Sequence, residues 1–185
     1  MRVISGSAKG VNLKTPDGML TRPTADRVKE AIFSIIQFDL PGAKVLDLFG
    51  GTGQLGIEAI SRGAQSAVFV DHQESACKII RENLSRTKLI NQAKVVRSDY
   101  LTFLKTCKDQ FNIILLDPPY VEVFLENSLN FITEIDILQS DGIIVTERPA
   151  HKALSLEFSG FSRSRDYKYG NTVVTIYHKD DSREE

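Results

Sequence analysis

The feature that most constrains this chain is an alternation. Short, continuously apolar segments are each closed by a polar break and followed by a stretch with helical spacing. Lys44–Leu48 (KVLDL), Ala67–Val70 (AVFV), Lys94–Val96, Phe111–Leu116 (FNIILL) and Gly142–Thr146 (GIIVT) read as strands. Between them, Gln54–Arg62, Glu74–Leu89, Tyr100–Cys107 and Val123–Phe131 read as helices. In the first of these, Leu55, Ala59 and Ile60 share one face and Gly63 supplies a stop. Strands without polar alternation are apolar on both faces, which a parallel sheet covered by helices on both sides accommodates.

After Gly160 the period changes to two. Phe161–Tyr169 and Thr172–His178 alternate, and Gly170-Asn171 between them is a turn signal. The fold class expected is α/β and Rossmann-like: a mostly parallel seven-stranded sheet with a terminal antiparallel hairpin. Before it, Arg2–Thr15 reads as a small hairpin turning at Ala8-Lys9-Gly10. Thr24 is placed to cap a helix reaching about Gln37, with Asp26 in its first turn and Ala31, Ile32, Ile35 and Ile36 as its apolar stripe. The organisation expected is an extension over residues 1–40 packed on a core over 41–179, with a polar tail at 180–185.

At 185 residues the chain can bury a core without disulfides or metals. A net charge of −1 excludes a protein that binds nucleic acid by overall basicity, so only local charge can speak to partners. Cys77 and Cys107 have no metal-ligand spacing and read as free thiols of an intracellular protein. With no apolar run of transmembrane length and no signal-peptide stretch at the start, a cytoplasmic location is expected.

Asp47-Leu48-Phe49-Gly50-Gly51-Thr52-Gly53 lies where a strand turns into a helix. Glycines there let the backbone approach a ligand closely, and the helix start offers unpaired N–H groups. Gly51, Gly53 and Gly56 satisfy the dinucleotide spacing, and Asp71 stands where an acid would bind ribose hydroxyls. Alone, the cluster fits a dinucleotide or S-adenosylmethionine. Asp47, just before the glycines, suits a cationic amino-acid moiety better than a pyrophosphate.

Asp117-Pro118-Pro119-Tyr120 follows the fourth strand and belongs at the carboxyl end of the sheet, where open α/β folds bind ligands. Asp117 can accept a hydrogen bond from an –NH2 group. Two prolines stiffen the loop and hold the Pro118 carbonyl as a second acceptor, and Tyr120 offers a face for an unstacked base. A base amine is a poor nucleophile because its lone pair is delocalised. Two acceptors on its two N–H groups favour the nucleophilic geometry, and positioning and electrostatics do the rest.

Met1–Gly6 (MRVISG), Arg22–Phe33 (RPTADRVKEAIF), Val45–Gly53 (VLDLFGGTG), Gly56–Ala64 (GIEAISRGA), Leu116–Tyr120 (LDPPY) and Tyr169-Gly170 together resemble the class I methyltransferases that modify amino groups. More closely, they resemble the bacterial 16S ribosomal RNA guanine-N2 methyltransferases. The resemblance spans nearly the whole chain, and the Arg22–Val28 segment is its most specific part. It implies that Asp47 and the backbone of Phe49, Gly50, Gly51, Thr52 and Gly53 hold the methionine part of S-adenosylmethionine. Asp71, with His72, would serve the ribose, and Asp99, with Tyr100, the adenine. Asp117, Pro118, Pro119 and Tyr120 would hold the target guanine, bordered by Arg22, Pro23 and Thr24. The partner implied is 16S rRNA in the small ribosomal subunit or its precursor; no metal and no membrane are expected, and a monomer is. The chain departs from relatives in reading Gly-Gly-Thr-Gly where Ala-Gly-Ser-Gly is common, and in carrying Asp71 where Glu is common. Both changes keep the chemistry.

Two segments are locally basic. Residues 1–37 hold six Lys and Arg against three acids, and residues 148–179 hold six against two. Converging near the pocket they would form a phosphate-binding surface, with Lys9, Lys14, Arg22 and Arg27 as the side chains to test. His72, His151 and His178 lack an evident catalytic partner. The residues alone leave three alternatives open: amine methylation of another RNA guanine, DNA adenine or a glutamine side chain; a non-catalytic RNA-binding assembly factor; and a nicotinamide enzyme.

Overall fold

The computed structural model describes residues 1–16, 23–119, 122–152 and 160–179. The five apolar segments form parallel strands β1 (Lys44–Asp47), β2 (Ser66–Asp71), β3 (Ala93–Arg97), β4 (Phe111–Leu116) and β5 (Leu138–Pro149). The hairpin β6 (Phe161–Tyr169) and β7 (Thr172–Lys179) completes a seven-stranded sheet in the order β3-β2-β1-β4-β5-β7-β6, with β7 antiparallel to both neighbours. Gly170 takes φ 58 in the turn, a conformation a side chain would resist.

The helices are α1 (Pro23–Ile35), α2 (Gln54–Ser61), α3 (Glu74–Arg86), α4 (Tyr100–Thr106) and α5 (Glu122–Ile135). Because successive side chains of a strand point to opposite faces, the sheet supplies two cores. Val45, Phe69, Ile113, Leu115, Val145, Val174 and Ile176 meet α1, α2 and α3; Leu46, Ile114, Leu116, Ile144 and Tyr177 meet α4 and α5.

Several boundaries differ from the sequence expectation, three of them for a readable physical reason. The third helix stops at Arg86 instead of Leu89: Lys88 turns left-handed (φ 60) and the Leu89 N–H returns to the Leu84 carbonyl at 2.9 Å. Leu89 is buried by this turn, which is why apolar periodicity counted it as helical. The fifth strand begins at Leu138; the polar run Gln139-Ser140-Asp141 hid its first part. The first helix begins at Pro23, so Thr24 lies inside its first turn; proline suits a first helical position because its missing N–H would have no partner there. The tail at 180–185 lies outside the described residues.

The leading segment folds back on itself. Val3 and Leu13 donate to the carbonyls of Val11 and Met1, both at 3.0 Å, around one Arg2–Asn12 bridge. Its turn docks on the end of α2. Ser7 donates to the Ser61 carbonyl at 2.7 Å, and a Cβ on Gly6 would stand 1.7 Å from that oxygen, so only glycine fits. Glu58, fully buried in the middle of α2, accepts from the N–H groups of Ile4 (2.8 Å) and Ser5 (2.9 Å). It also pairs with Lys29 of α1 (3.6 Å) and Arg62 (2.8 Å).

Candidate active site

The loop after β1 is shaped by its glycines. Gly51 and Gly53 take φ 54 and 78, and the Gly53 N–H closes on the Gly50 carbonyl at 2.6 Å. A Cβ on Gly51 would meet only the Phe49 carbonyl, at 3.9 Å, so this side of the loop is open to a ligand. Gly50 instead sits against the core, where a Cβ would stand 2.9 Å from Ile80. Thr52 is buried and its hydroxyl faces the Met1 sulfur at 3.4 Å.

Asp71, at the end of β2, accepts from Gly51 N–H (2.9 Å) and Gln73 N–H (2.8 Å), which ties the glycine loop to the neighbouring strand. Each carboxylate oxygen keeps a further lone pair. His72 is exposed, its Nδ1 3.7 Å from Asp71. Asp99 caps α4 by accepting from Thr102 N–H at 2.9 Å. Tyr100 follows it and packs edge-on against Phe124 and tilted against Phe49, both at 5.4 Å between ring centroids. Phe49, Tyr100 and Phe124 thus make an aromatic wall on the α4–α5 side of the site. Phe124 was not legible beforehand, because one aromatic in an apolar helix carries no positional signal.

The other side is acidic. Asp47, on the same face as Val45, is buried and accepts from Gly56 N–H at 3.0 Å. Burial pushes its carboxyl up to about 7; the Gly56 N–H opposes this, and the charges of Asp117 and Asp71 add to it. Asp117 continues the face of Ile113 and Leu115, and burial raises its carboxyl as well. Glu147, on the face of Val145, is raised by burial and then by the Asp117 charge. Asp117 and Glu147 have no hydrogen-bond donor or cation partner among the described residues. Pro118 is buried and Pro119 exposed; Tyr120 lies outside the described residues. Glu147 was missed by the sequence analysis. The available signal was positional: like Asp47, Asp71 and Asp117, it is an acid at the carboxyl end of an apolar parallel strand.

The basic candidates separate. α1 and α2 run in the same direction, because Lys29 meets Glu58 and, four residues on in both helices, Phe33 meets Arg62 (5.2 Å). The Pro23 end of α1 therefore lies level with the glycine loop. Arg27, in the second turn, is exposed. Lys14 is held near the loop. Its N–H donates to Asn83 (2.7 Å), and the Asn83 amide donates to the carbonyls of Lys14 (3.0 Å) and Thr52 (2.9 Å). The Lys14 ammonium pairs with Glu82 at 2.7 Å. Lys9 is exposed on the turn at the far end of α2, away from Gly53. Arg22 lies outside the described residues, and Pro23 and Thr24 are placed only by their backbone in the first turn of α1. In the second basic segment, Arg148 and Arg163 both pair with Asp166, and Lys179 pairs with Asp136. The described residues contain no group of three His, Cys, Asp or Glu that could hold a metal ion, and no described helix is long and apolar enough to cross a membrane.

The chain is similar to known proteins over nearly its whole length. Residues 1–178 match the model of a family described as Conserved hypothetical protein 95. YlbH of Bacillus subtilis (strain 168), a provisionally named rRNA methyltransferase, is 42% identical over 182 residues, spanning 97% of this chain and 99% of that protein. Ribosomal RNA small subunit methyltransferase D of Escherichia coli (strain K12) is 31% identical over 180 residues, spanning 97% and 90%. Among solved structures, yhhF of Escherichia coli, a provisionally named methyltransferase, superposes with a TM-score of 0.89 at 28% identity, covering 98% of this chain and 99% of that one. The sheet order and these neighbours make the fold a Rossmann-like, class I methyltransferase fold.

Proposed function

Since the chain belongs to the Conserved hypothetical protein 95 family, we propose that it is an rRNA methyltransferase acting on the small ribosomal subunit. It moves a methyl group from S-adenosylmethionine to the exocyclic N2 amine of a guanine in 16S rRNA. The observation that carries the reading is Asp117. It is a carboxylate with no partner among the described residues, on a proline-stiffened stub at the carboxyl end of β4 and next to the glycine loop.

The residues present suit the cofactor. Asp47 is a buried acid whose one hydrogen-bond donor among the described residues is Gly56 N–H, a setting that a cationic ammonium group completes. Gly51 leaves open space beside the chain, Asp71 offers lone pairs to hydroxyls, and the Phe49–Tyr100–Phe124 wall suits a planar base. The cofactor, when bound, supplies an electrophilic methyl group on a sulfonium. Asp117 and the Pro118 carbonyl accept the two N–H groups of the target amine and turn its lone pair outward. When the N–C bond has formed the nitrogen carries one proton too many, and Asp117, already on that hydrogen, receives it first. Lys14 and Arg27, beside the open edge, are the described side chains placed to meet phosphates.

The test is mass spectrometry of digested nucleosides after incubation with S-adenosylmethionine and small ribosomal subunits lacking the modification, with DNA in parallel. N2-methylguanosine in the RNA alone is expected. Methyladenine in DNA would retain the fold and cofactor and overturn the substrate. No methylated nucleoside, despite tight S-adenosylhomocysteine binding, would favour an assembly factor.

A further inference from the structure

The parallel register of β4 and β5 pairs Leu115 with Val145 and Leu116 with Thr146. One step further, at the carboxyl edge, it brings Asp117 beside Glu147 on the same face of the sheet. The two carboxylates sense each other's charge, and neither is answered by a donor among the described residues. Burial leaves them in a costly state that a ligand bringing N–H donors relieves. Behind Glu147 stand Val174 of β7 and then Tyr167 of β6, so the strand neighbours on that side offer no cation to it. Arg148, the next residue, points away to Asp166 and the Lys152 carbonyl.

We propose that Glu147 is a specificity-determining residue that accepts the ring N1–H of the target guanine while Asp117 holds the adjacent N2 amine. This rests on the guanine-N2 reading above. The chemistry of the bases makes the pairing selective. Guanine alone among the amino-bearing bases carries a ring N–H next to its exocyclic amine. Adenine N6 is flanked by the N1 lone pair and cytosine N4 by the N3 lone pair, each of which an ionised carboxylate repels. The N–H donors of a bound guanine favour the ionised form of Glu147, so binding itself offsets the raised affinity of the free carboxyl for a proton. A single acceptor at Asp117 would hold any base amine. The second acceptor, one strand over, makes the edge complementary to two neighbouring donors.

The experiment compares wild type, Glu147→Ala and Glu147→Gln on small ribosomal subunits lacking the modification. These carry either guanine or 2-aminopurine at the nucleotide that the wild type methylates. 2-Aminopurine keeps the amine and lacks the N1–H. Wild type should prefer guanine strongly. Glu147→Ala should lower kcat/KM on guanine roughly tenfold to a hundredfold and shrink the preference over 2-aminopurine by a similar factor, with S-adenosylhomocysteine binding unchanged. Glu147→Gln, which retains an acceptor oxygen but adds an amide donor able to meet the N1 lone pair of 2-aminopurine, should recover much of the rate on guanine while leaving the preference reduced. An unchanged guanine preference in Glu147→Ala would overturn the proposal, as would a loss that travels with lost folding or cofactor binding and is equal on both bases. If wild type forms no N2-methylguanosine, the guanine reading itself falls, which the wild-type arm reports separately.

Discussion

Glu58 and the row formed by Asp47, Asp117 and Glu147 lie on the same side of the sheet, and all are withdrawn from solvent to a large degree. Glu58 is surrounded by partners: two backbone N–H groups, an ammonium and a guanidinium. In return it fixes the leading segment, α1 and α2 to one another. In the row, the one donor among the described residues is the Gly56 N–H on Asp47; the carboxyl groups rise because burial outweighs what opposes it. A closed cluster is a joint, whereas an open one is a site waiting for donors. The same residue type at similar depth serves either purpose, and the count of partners tells them apart.

Breaking the closed cluster should have the largest effect. Glu58→Ala removes the counter-charge that Lys29 and Arg62 share, and Lys29, its ammonium already weakened by burial, loses the stronger of the two acids that oppose that shift, leaving Asp26. A loss of about 3–5 kcal/mol in urea unfolding is expected. A loss under about 1 kcal/mol would mean that the cluster is not a joint. Opening the row further should spare stability and cost activity. Asp117→Ala should reduce the methylation rate on the order of 10²- to 10³-fold, with a melting temperature equal to or above that of wild type when measured near pH 8. Retained methylation would show that Asp117 is not the amine acceptor.

The pH dependence sharpens the contrast. Asp47 titrates near 7 in the folded chain against about 4 unfolded, and Asp117 and Glu147 are raised as well. A raised carboxyl binds more protons folded than unfolded. Its contribution is therefore complete below about pH 4 and is lost as pH rises through the folded value. Stability of the ligand-free protein should fall, on the order of 1–3 kcal/mol, between about pH 5 and pH 8, and Asp47→Asn should flatten that slope. A slope unchanged in Asp47→Asn would place the titration elsewhere. The smallest effect concerns RNA: Lys14→Ala and Arg27→Ala should each lower the salt slope of binding by about 1, and Lys9→Ala by less. Equal effects from all three would show an RNA footprint reaching the far end of α2.

The sheet was legible because its strands are short, apolar and closed by acids, glycines or prolines, and the hairpin because its period changes at Gly160. The glycine loop was legible because a positive φ at Gly51 and Gly53 favours glycine, and the Asp117-Pro118-Pro119 stub because two prolines end a strand. What stayed hidden depends on pairing across the sequence. Glu147 acquires meaning only when β4 and β5 are in register, and Asn83, polar within an amphipathic helix, only when Lys14 and Thr52 arrive on either side of it. Lys9 and Lys14 looked equivalent in a basic segment, yet the fold-back of that segment sends them to opposite ends of α2.

The position of β7 bears on how the protein is made. Thr172–Lys179 comes after every other strand in the chain, yet it fills an interior place, bonded to β5 on one side and β6 on the other, and it also meets α1. During synthesis β5 must wait with an open hydrogen-bonding edge, and α1 without part of its floor, until β7 has emerged. The nascent protein thus carries an unsatisfied strand edge from the emergence of β5 until β7 follows. Premature termination before β7 would yield a sheet with an exposed sticky border, not a smaller version of the enzyme.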